Sequence, residues 1–278
     1  MIYFTKSTIG YSHIKSNTVC QDYSSTFKTD DRIILTACDG HGGATYVRSD
    51  RGSKFASMAA INALQLLDLN QLDDVKYLEK IKLQILCRWN ELVEQDLASY
   101  PITEDEICNL TESKQQTLLD DPVIAYGTTL NAVMMSAKYY VCVQLGDGGV
   151  FLIKDLLAKP ALPDDDLTAA NITYSLCQED AYLHLEIGVF RRKDIDGVLI
   201  CTDGLLTPYQ SYRNFQEYFV TPMLKKFKRG DKQADIIKFI NVLAKSKGVG
   251  DDVSMGLIFN EKYFEKKVSK SKTRVKKA

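Results

Sequence analysis

The sequence predicts an α+β fold in which two largely antiparallel sheets lie between layers of helix, in the order α-β-β-α. Three observations lead there. Short runs rich in Val, Ile, Tyr and Thr recur at residues 32–38, 128–136, 139–145, 149–154, 198–202 and 253–259, the composition of strands. The three runs between 128 and 154 are separated by only short breaks, which favours an antiparallel meander, because parallel neighbours need crossovers of roughly a dozen residues. Helical patterns arrive in pairs rather than alternating with strands, and block order of this kind indicates layers of helix on sheet, not βαβ units.

In chain order, the strand at 32–38 is followed by helices expected over 51–67 and 72–97. In the second of these, Leu78, Ile81, Ile85, Trp89 and Leu92 fall at spacings of three and four, so one face of that helix is apolar. The strands between 128 and 154 come next, and then a surface loop from Asp155 to Asp166 with Pro160, Pro163 and three consecutive aspartates, which read as solvated carboxylates. Together with its continuation to Asp194, this loop is expected to form a flap over a site. The strand at 198–202 leads into a second helical pair, 212–227 and 232–245, and the strand at 253–259 closes the fold. A single domain is expected over residues 1–260, with a flexible tail over 261–278. The chain contains no internal repeat.

Composition narrows the function. The chain has 278 residues, 45% of them hydrophobic, and a formal net charge of -1, so it can bury a substantial core and has no bulk field that selects nucleic acid or a membrane surface. Eight basic and two acidic residues lie in the tail, which leaves the body acidic. Seven cysteines, never paired as Cys-x-x-Cys and mostly set in apolar runs, argue against a disulfide framework or a zinc ribbon and for a reducing, cytoplasmic compartment. Neither a signal peptide nor a run approaching the roughly 20 apolar residues of a membrane span is expected.

The most informative short segment is Cys38-Asp39-Gly40-His41-Gly42-Gly43, an aspartate and a histidine in a glycine-rich turn directly after an apolar strand. Glycine permits tight turning and close backbone approach, so a carboxylate and a neighbouring carbonyl can face one ligand; an Asp-Gly pair is also an ordinary turn signal. Three more aspartates sit at strand ends. Asp22 stands beside a short possible strand, Asp203 follows the strand at 198–202, and Asp251 precedes the strand at 253–259. Four carboxylates converging on one rim repel one another unless they are neutralised. Two divalent cations balance their charge, and hard oxygen ligands select Mg²⁺ or Mn²⁺ over zinc. Such a pair lowers the pKa of a shared water and polarises a phosphoryl oxygen, which points to phosphate-ester hydrolysis. The chain carries no Gly-x-Ser-x-Gly elbow, no phosphate-binding Gly-x-x-x-x-Gly-Lys-Ser/Thr loop and no His-Glu-x-x-His.

The order of these segments resembles the metal-dependent serine/threonine protein phosphatases of the type 2C family. The matching residues are Gln21-Asp22, Asp39-Gly40-His41-Gly42-Gly43, Tyr126-Gly127-Thr128-Thr129-Leu130, Gly146-Asp147-Gly148-Gly149, Thr202-Asp203-Gly204 and Gly250-Asp251-Asp252-Val253-Ser254, and Ser12-His13 with Cys20-Gln21-Asp22 looks more like a bacterial branch. The resemblance implies a β-sandwich flanked by helix pairs and a two-metal centre. Asp39 matches the bridging ligand, Asp22, Asp203 and Asp251 the other carboxylates, and the Gly40 carbonyl a backbone ligand. His41 matches a proposed general acid; it suits a turn-shaping role as well.

Two departures stand out. Family members often carry an arginine five residues before the first metal aspartate, where this chain has Asn17, and the usual Asp-Asn pair near the end is Asp251-Asp252. His13 and Lys15 are the expected phosphate-binding cations, with Arg48, Arg51 and Lys54 behind them. Asp147 is expected to fix its own turn. The implied function is hydrolysis of phosphoserine and phosphothreonine in proteins, opposing a serine/threonine kinase; the alternatives are a catalytically silent relative and a phosphatase of small phosphomonoesters.

Overall fold

The computed structural model describes residues 1–163, 173–228, 233–245 and 250–260; the three aspartates at 164–166 and the tail from Glu261 lie outside the described residues. The chain opens with β1 (Ile2–Thr8) and a short helix, α1 (Tyr11–Ser16), then passes through β2 (Tyr23–Lys28) and β3 (Ile33–Cys38) into α2 (Ser49–Gln65) and α3 (Val75–Ser99). Two short helices, α4 (Glu104–Ile107) and α5 (Glu112–Asp120), and a 3-10 turn over Pro122–Tyr126 lead to β4 (Leu130–Met135), β5 (Tyr139–Leu145), β6 (Gly149–Lys154) and β7 (Leu157–Pro160). Next come α6 (Ala181–His184), β8 (Glu186–Arg191), β9 (Gly197–Cys201) and α7 (Asp203–Leu206). Helix α8 (Tyr212–Phe215) continues through a π-helical turn over Gln216–Val220 into α9 (Thr221–Lys228), and α10 (Gln233–Lys245) precedes β10 (Val253–Phe259).

The strands form two five-stranded sheets, ordered β1-β10-β9-β6-β7 and β2-β3-β4-β5-β8, with every pairing antiparallel. Three apolar clusters glue four layers together. Between the sheets lie Leu35, Val133, Tyr140, Val198 and Ile258. Ala56, Ala60, Ile85 and Trp89 of α2 and α3 cover Ile34 and Val141 on one outer face, and Phe219, Leu224, Ile236 and Ile240 cover Phe151 and Leu257 on the other. The expected α-β-β-α order is therefore observed. Gly52 is required in α2 because a Cβ there would lie 1.9 Å from the Tyr126 carbonyl oxygen, so the helix can seat on the 3-10 turn only without a side chain.

The six expected strands are the six central ones. β3, β4, β9 and β10 are buried along their whole lengths and so read as continuous apolar runs. β2 is the short strand expected beside Asp22. The remaining edge strands, β1, β7 and β8, expose much of their surface and leave a weaker sequence signal. Helix α3 begins at Val75 rather than 72 because the Asp74 side chain accepts a hydrogen bond from the Lys76 N–H, which caps it there.

Two expectations are overturned. The stretch expected as a loop from Asp155 to Asp166 carries β7, which pairs with β6. Residues 128–154 do not form a three-stranded meander: β4 pairs with β5, but β6 crosses to the other sheet and pairs with β7 and β9. The crossing is made by Gly146-Asp147-Gly148. Gly146 has φ +94°, and a Cβ on Gly148 would lie 2.2 Å from the Asn131 amide nitrogen, so this turn needs glycine at both positions. Asp147 is thereby carried to the rim between the two sheets.

Candidate metal centre

Five aspartates lie where strands meet their turns on one rim of the sandwich. Asp39 follows β3, Asp147 joins β5 to β6, Asp203 opens α7 directly after β9, Asp251 precedes β10 and Asp22 precedes β2. Asp39, Asp147 and Asp203 each bring a carboxylate oxygen within 4.8 Å of the other two. At an effective dielectric of about 20, two unit charges 4.8 Å apart repel by about 3–4 kcal/mol, a repulsion that bound cations would relieve.

The backbone around Asp39 is tightly held. Its N–H donates to Thr129 Oγ1 at 3.0 Å, and its carbonyl accepts from the Thr129 N–H and the Thr128 hydroxyl, both at 2.8 Å. Gly40 is wedged between backbone atoms: a Cβ would lie 2.5 Å from the Ser49 carbonyl oxygen and 2.6 Å from that of Gln21. The His41 N–H donates to the Gly127 carbonyl at 3.1 Å, and its ring packs at 4.8 Å between centroids against Tyr46. Gln21 ties these pieces together, its amide donating to the His41 carbonyl at 3.2 Å and to Ser49 Oγ at 2.7 Å.

Electrostatics mark the same residues. Burial, followed by the fields of Asp22 and Asp203, pushes the Asp39 carboxyl well above the usual range. Burial and Asp252 do the same to Asp22, although hydrogen bonds from Ser254 and Thr202 oppose the shift. Burial and Asp147 raise Asp203 to about 6, and burial raises Asp251. Burial also depresses His41, partly offset by the field of Asp147. Asp22 accepts from Thr202 Oγ1 at 2.9 Å through one oxygen, while its other oxygen and Asp203 Oδ1 are buried without a hydrogen-bond partner. Buried acceptors without donors, hard oxygen chemistry and mutual repulsion together fit divalent cations of the Mg²⁺ or Mn²⁺ type.

Of the expected ligands, Asp39 and Asp203 meet directly. Asp22 and Asp251 stand close enough to influence them: Asp22 acts on Asp39, and Asp251 on both. Asp252 takes a different part, for its oxygens accept from the Gly10 and Gln21 N–H groups, each at 2.7 Å. His13 Nδ1 lies 2.9 Å from this carboxylate, and Lys15 is exposed on the same helix, α1. Asn17, at the place of the family arginine, closes α1 with φ 57°, a left-handed conformation that asparagine tolerates.

Arg48 and Arg51 are engaged by protein partners away from the carboxylate rim. Arg48 is buried and donates to Glu106, to Tyr126 Oη and to the carbonyls of Tyr100 and Pro101; Arg51 pairs with Asp96. Asp147, expected to fix its own turn, sits in that glycine-flanked turn and also brings a carboxylate oxygen within 4.8 Å of those of Asp39 and Asp203, a consequence of the change of sheet.

Comparison with known proteins agrees with this arrangement. A family model described as Protein phosphatase 2C matches residues 9–241. A search of curated proteins finds no match. Among solved structures, the fold is similar to a bacterial serine phosphatase (TM-score 0.62, 15% identity, 92% of this chain and 96% of that one). It is also similar to the serine/threonine phosphatase Stp1 from Staphylococcus aureus (TM-score 0.62, 14% identity, 92% and 94%). A third is the catalytic domain of the serine/threonine phosphatase PstP in complex with two manganese ions (TM-score 0.55, 18% identity, 92% and 96%).

Proposed function

Because the chain belongs to the protein phosphatase 2C family, we propose that it hydrolyses phosphoserine and phosphothreonine in proteins with the help of two divalent cations, Mn²⁺ or Mg²⁺, held on the carboxylate rim. The observation that carries this reading is the meeting of Asp39, Asp147 and Asp203 within 4.8 Å, with Asp22 and Asp251 beside them. Asp39, Asp22, Asp203, Asp251 and the Gly40 carbonyl would hold these cations, and Asp147 offers a further carboxylate beside them. Bound cations supply an activated water and positive charge for the phosphoryl oxygens.

The protein's own groups do the rest. His41, whose pKa is lowered by burial and which is fixed by Gly127 and Tyr46, gains basicity beside a phosphate dianion, takes up a proton from solvent and can then pass that proton to the departing alkoxide. Helix α1 packs on the rim through the Ser12 N–H, which donates to the Gly250 carbonyl at 2.8 Å. That contact supports His13 and Lys15 as the cations nearest the phosphate, with Lys15 the exposed one. No helix among the described residues is long and apolar enough to cross a membrane, and the spread of reduced cysteines supports a cytoplasmic setting in which the substrates are targets of a serine/threonine kinase.

The test is hydrolysis of a phosphothreonine peptide and of para-nitrophenyl phosphate with Mn²⁺, with Mg²⁺ and with chelator, for wild type and Asp39→Asn. Metal-dependent turnover of the peptide that disappears in Asp39→Asn is the expected result. Turnover of the small ester alone would replace the reading with a phosphomonoesterase, and metal binding without turnover would replace it with a silent binding protein.

A further inference from the structure

Beside the carboxylate rim, on the side formed by α7 and α8, lies a concavity of about 500 Å³ whose inner wall is Asp147 and Asp203. Its outer wall is Thr207, Gln210, Ser211 and Tyr212, with Phe215 beneath. We propose that this concavity is a subsite for the substrate residue next to the phosphorylated side chain, and that it selects neutral aromatic or hydrogen-bonding residues and rejects acidic ones. The proposal rests on the phosphatase reading given above and adds to it a choice among peptides.

Three features support it. The first is position. Asp147 and Asp203 belong both to the rim and to the concavity, so the concavity opens directly beside the place where the phosphate would meet the cations. The second is chemistry. Thr207, Gln210, Ser211 and Tyr212 are all exposed, and they offer hydroxyl, amide and aromatic surface. Among the described residues that line the concavity there is no lysine, arginine or histidine. A substrate carboxylate laid against the outer wall of Thr207, Gln210, Ser211 and Tyr212 would lose water and meet no basic side chain there, which is unfavourable.

The third is rigidity. Tyr212 packs edge-on against Phe151 with ring centroids 5.6 Å apart, and Phe151 in turn contacts Phe215 at 5.4 Å. Phe215 stacks on Phe219 at 5.3 Å. The exposed tyrosine is thus the outer member of an aromatic row anchored in the core, a preorganised surface for a flat or apolar side chain. Ser211 Oγ accepts from the Asn214 N–H at 3.2 Å, which fixes the start of α8. Gln210 ends the 3-10 turn Thr207–Tyr209 in a left-handed conformation, φ 59°, so the outer wall has a defined shape.

The test compares kcat/KM, with Mn²⁺ saturating, for phosphothreonine peptides that differ only in the flanking residues (Tyr, Gln or Asp) and for para-nitrophenyl phosphate, which has no flanking residue. Wild type is expected to favour the Tyr and Gln peptides over the Asp peptide by about tenfold or more. Tyr212→Ala and Gln210→Ala are expected to flatten that preference through KM, with turnover of para-nitrophenyl phosphate unchanged; Tyr212→Phe is expected to keep the preference for the Tyr peptide. Equal use of all three peptides by an active wild type would overturn the inference and leave the phosphatase reading intact. So would variants that keep the wild-type preference, or that lose para-nitrophenyl phosphate turnover in parallel. A wild type inactive on every peptide and on the small ester would remove the phosphatase reading itself.

Discussion

His13 Nδ1 lies 2.9 Å from Asp252 Oδ2, which joins the first helix to the start of the last strand beside Asp251. The same carboxylate accepts the Gly10 N–H on one oxygen and the Gln21 N–H on the other. A carboxylate serves donors on both oxygens; an amide does not, because its NH₂ would face an N–H. This is a physical reason for aspartate at a position where related phosphatases often carry asparagine.

Asp252→Asn is therefore expected to destabilise the protein by about 1–3 kcal/mol, the usual cost of a buried donor left unsatisfied. Urea unfolding measures the loss. The gain in Tm on adding Mn²⁺ should shrink as well, because Asp22 and Asp251 flank the segments that this carboxylate holds.

Asp39→Asn should act in opposite directions on stability and activity. Removing one charge from the trio relieves repulsion, so the chelator-treated variant is expected to melt higher than chelator-treated wild type. Activity should fall by more than the roughly 10–100-fold typical of residues that only support a ligand. Differential scanning calorimetry with and without Mn²⁺ tests the first statement; a variant that melts lower in chelator would refute it.

Stability in chelator should decline as pH rises through the acid range. Burial and the field of Asp147 raise the Asp203 carboxyl from its ordinary 3.8 to about 6 in the folded protein, and Asp39 and Asp22 move the same way. Folded carboxyls thus hold protons that the unfolded chain has released, and stability drops from about pH 4 to above 6, by at most about 3 kcal/mol for Asp203 alone. His41 has the opposite sign: its lowered pKa gives stability that is present above about 6.5 and lost as pH falls. Denaturant titrations at several pH values, with chelator and then with Mn²⁺, should show the carboxylate slope only in chelator.

Arg48 and Glu106 form a two-pronged pair, with Nε to Oε1 at 2.7 Å and Nη2 to Oε2 at 2.8 Å. The Arg48 hydrogen bonds lower the Glu106 carboxyl to about 2, so its contribution is present above about 4.5 and lost on acidification towards 2. Glu106→Gln is expected to cost about 1–3 kcal/mol at neutral pH and to remove that part of the acid-side loss, both read from urea unfolding.

The sequence by itself determined the layered class, the six central strands and the aspartates at strand ends. Strands such as β3 and β10 are buried on both faces and so announce themselves as apolar runs, and a carboxylate directly after such a run, as at Asp39 or Asp203, marks either a turn or a ligand. Only the tertiary structure decided the rest. β1, β7 and β8 are strands because a neighbour offers its edge, a condition set elsewhere in the chain. Arg48 and Arg51 became structural because Glu106 and Asp96 lie within reach. Asp147 comes beside Asp39 and Asp203 because β6 leaves one sheet for the other, and which sheet a strand enters depends on the pairing of distant segments, which local composition does not encode.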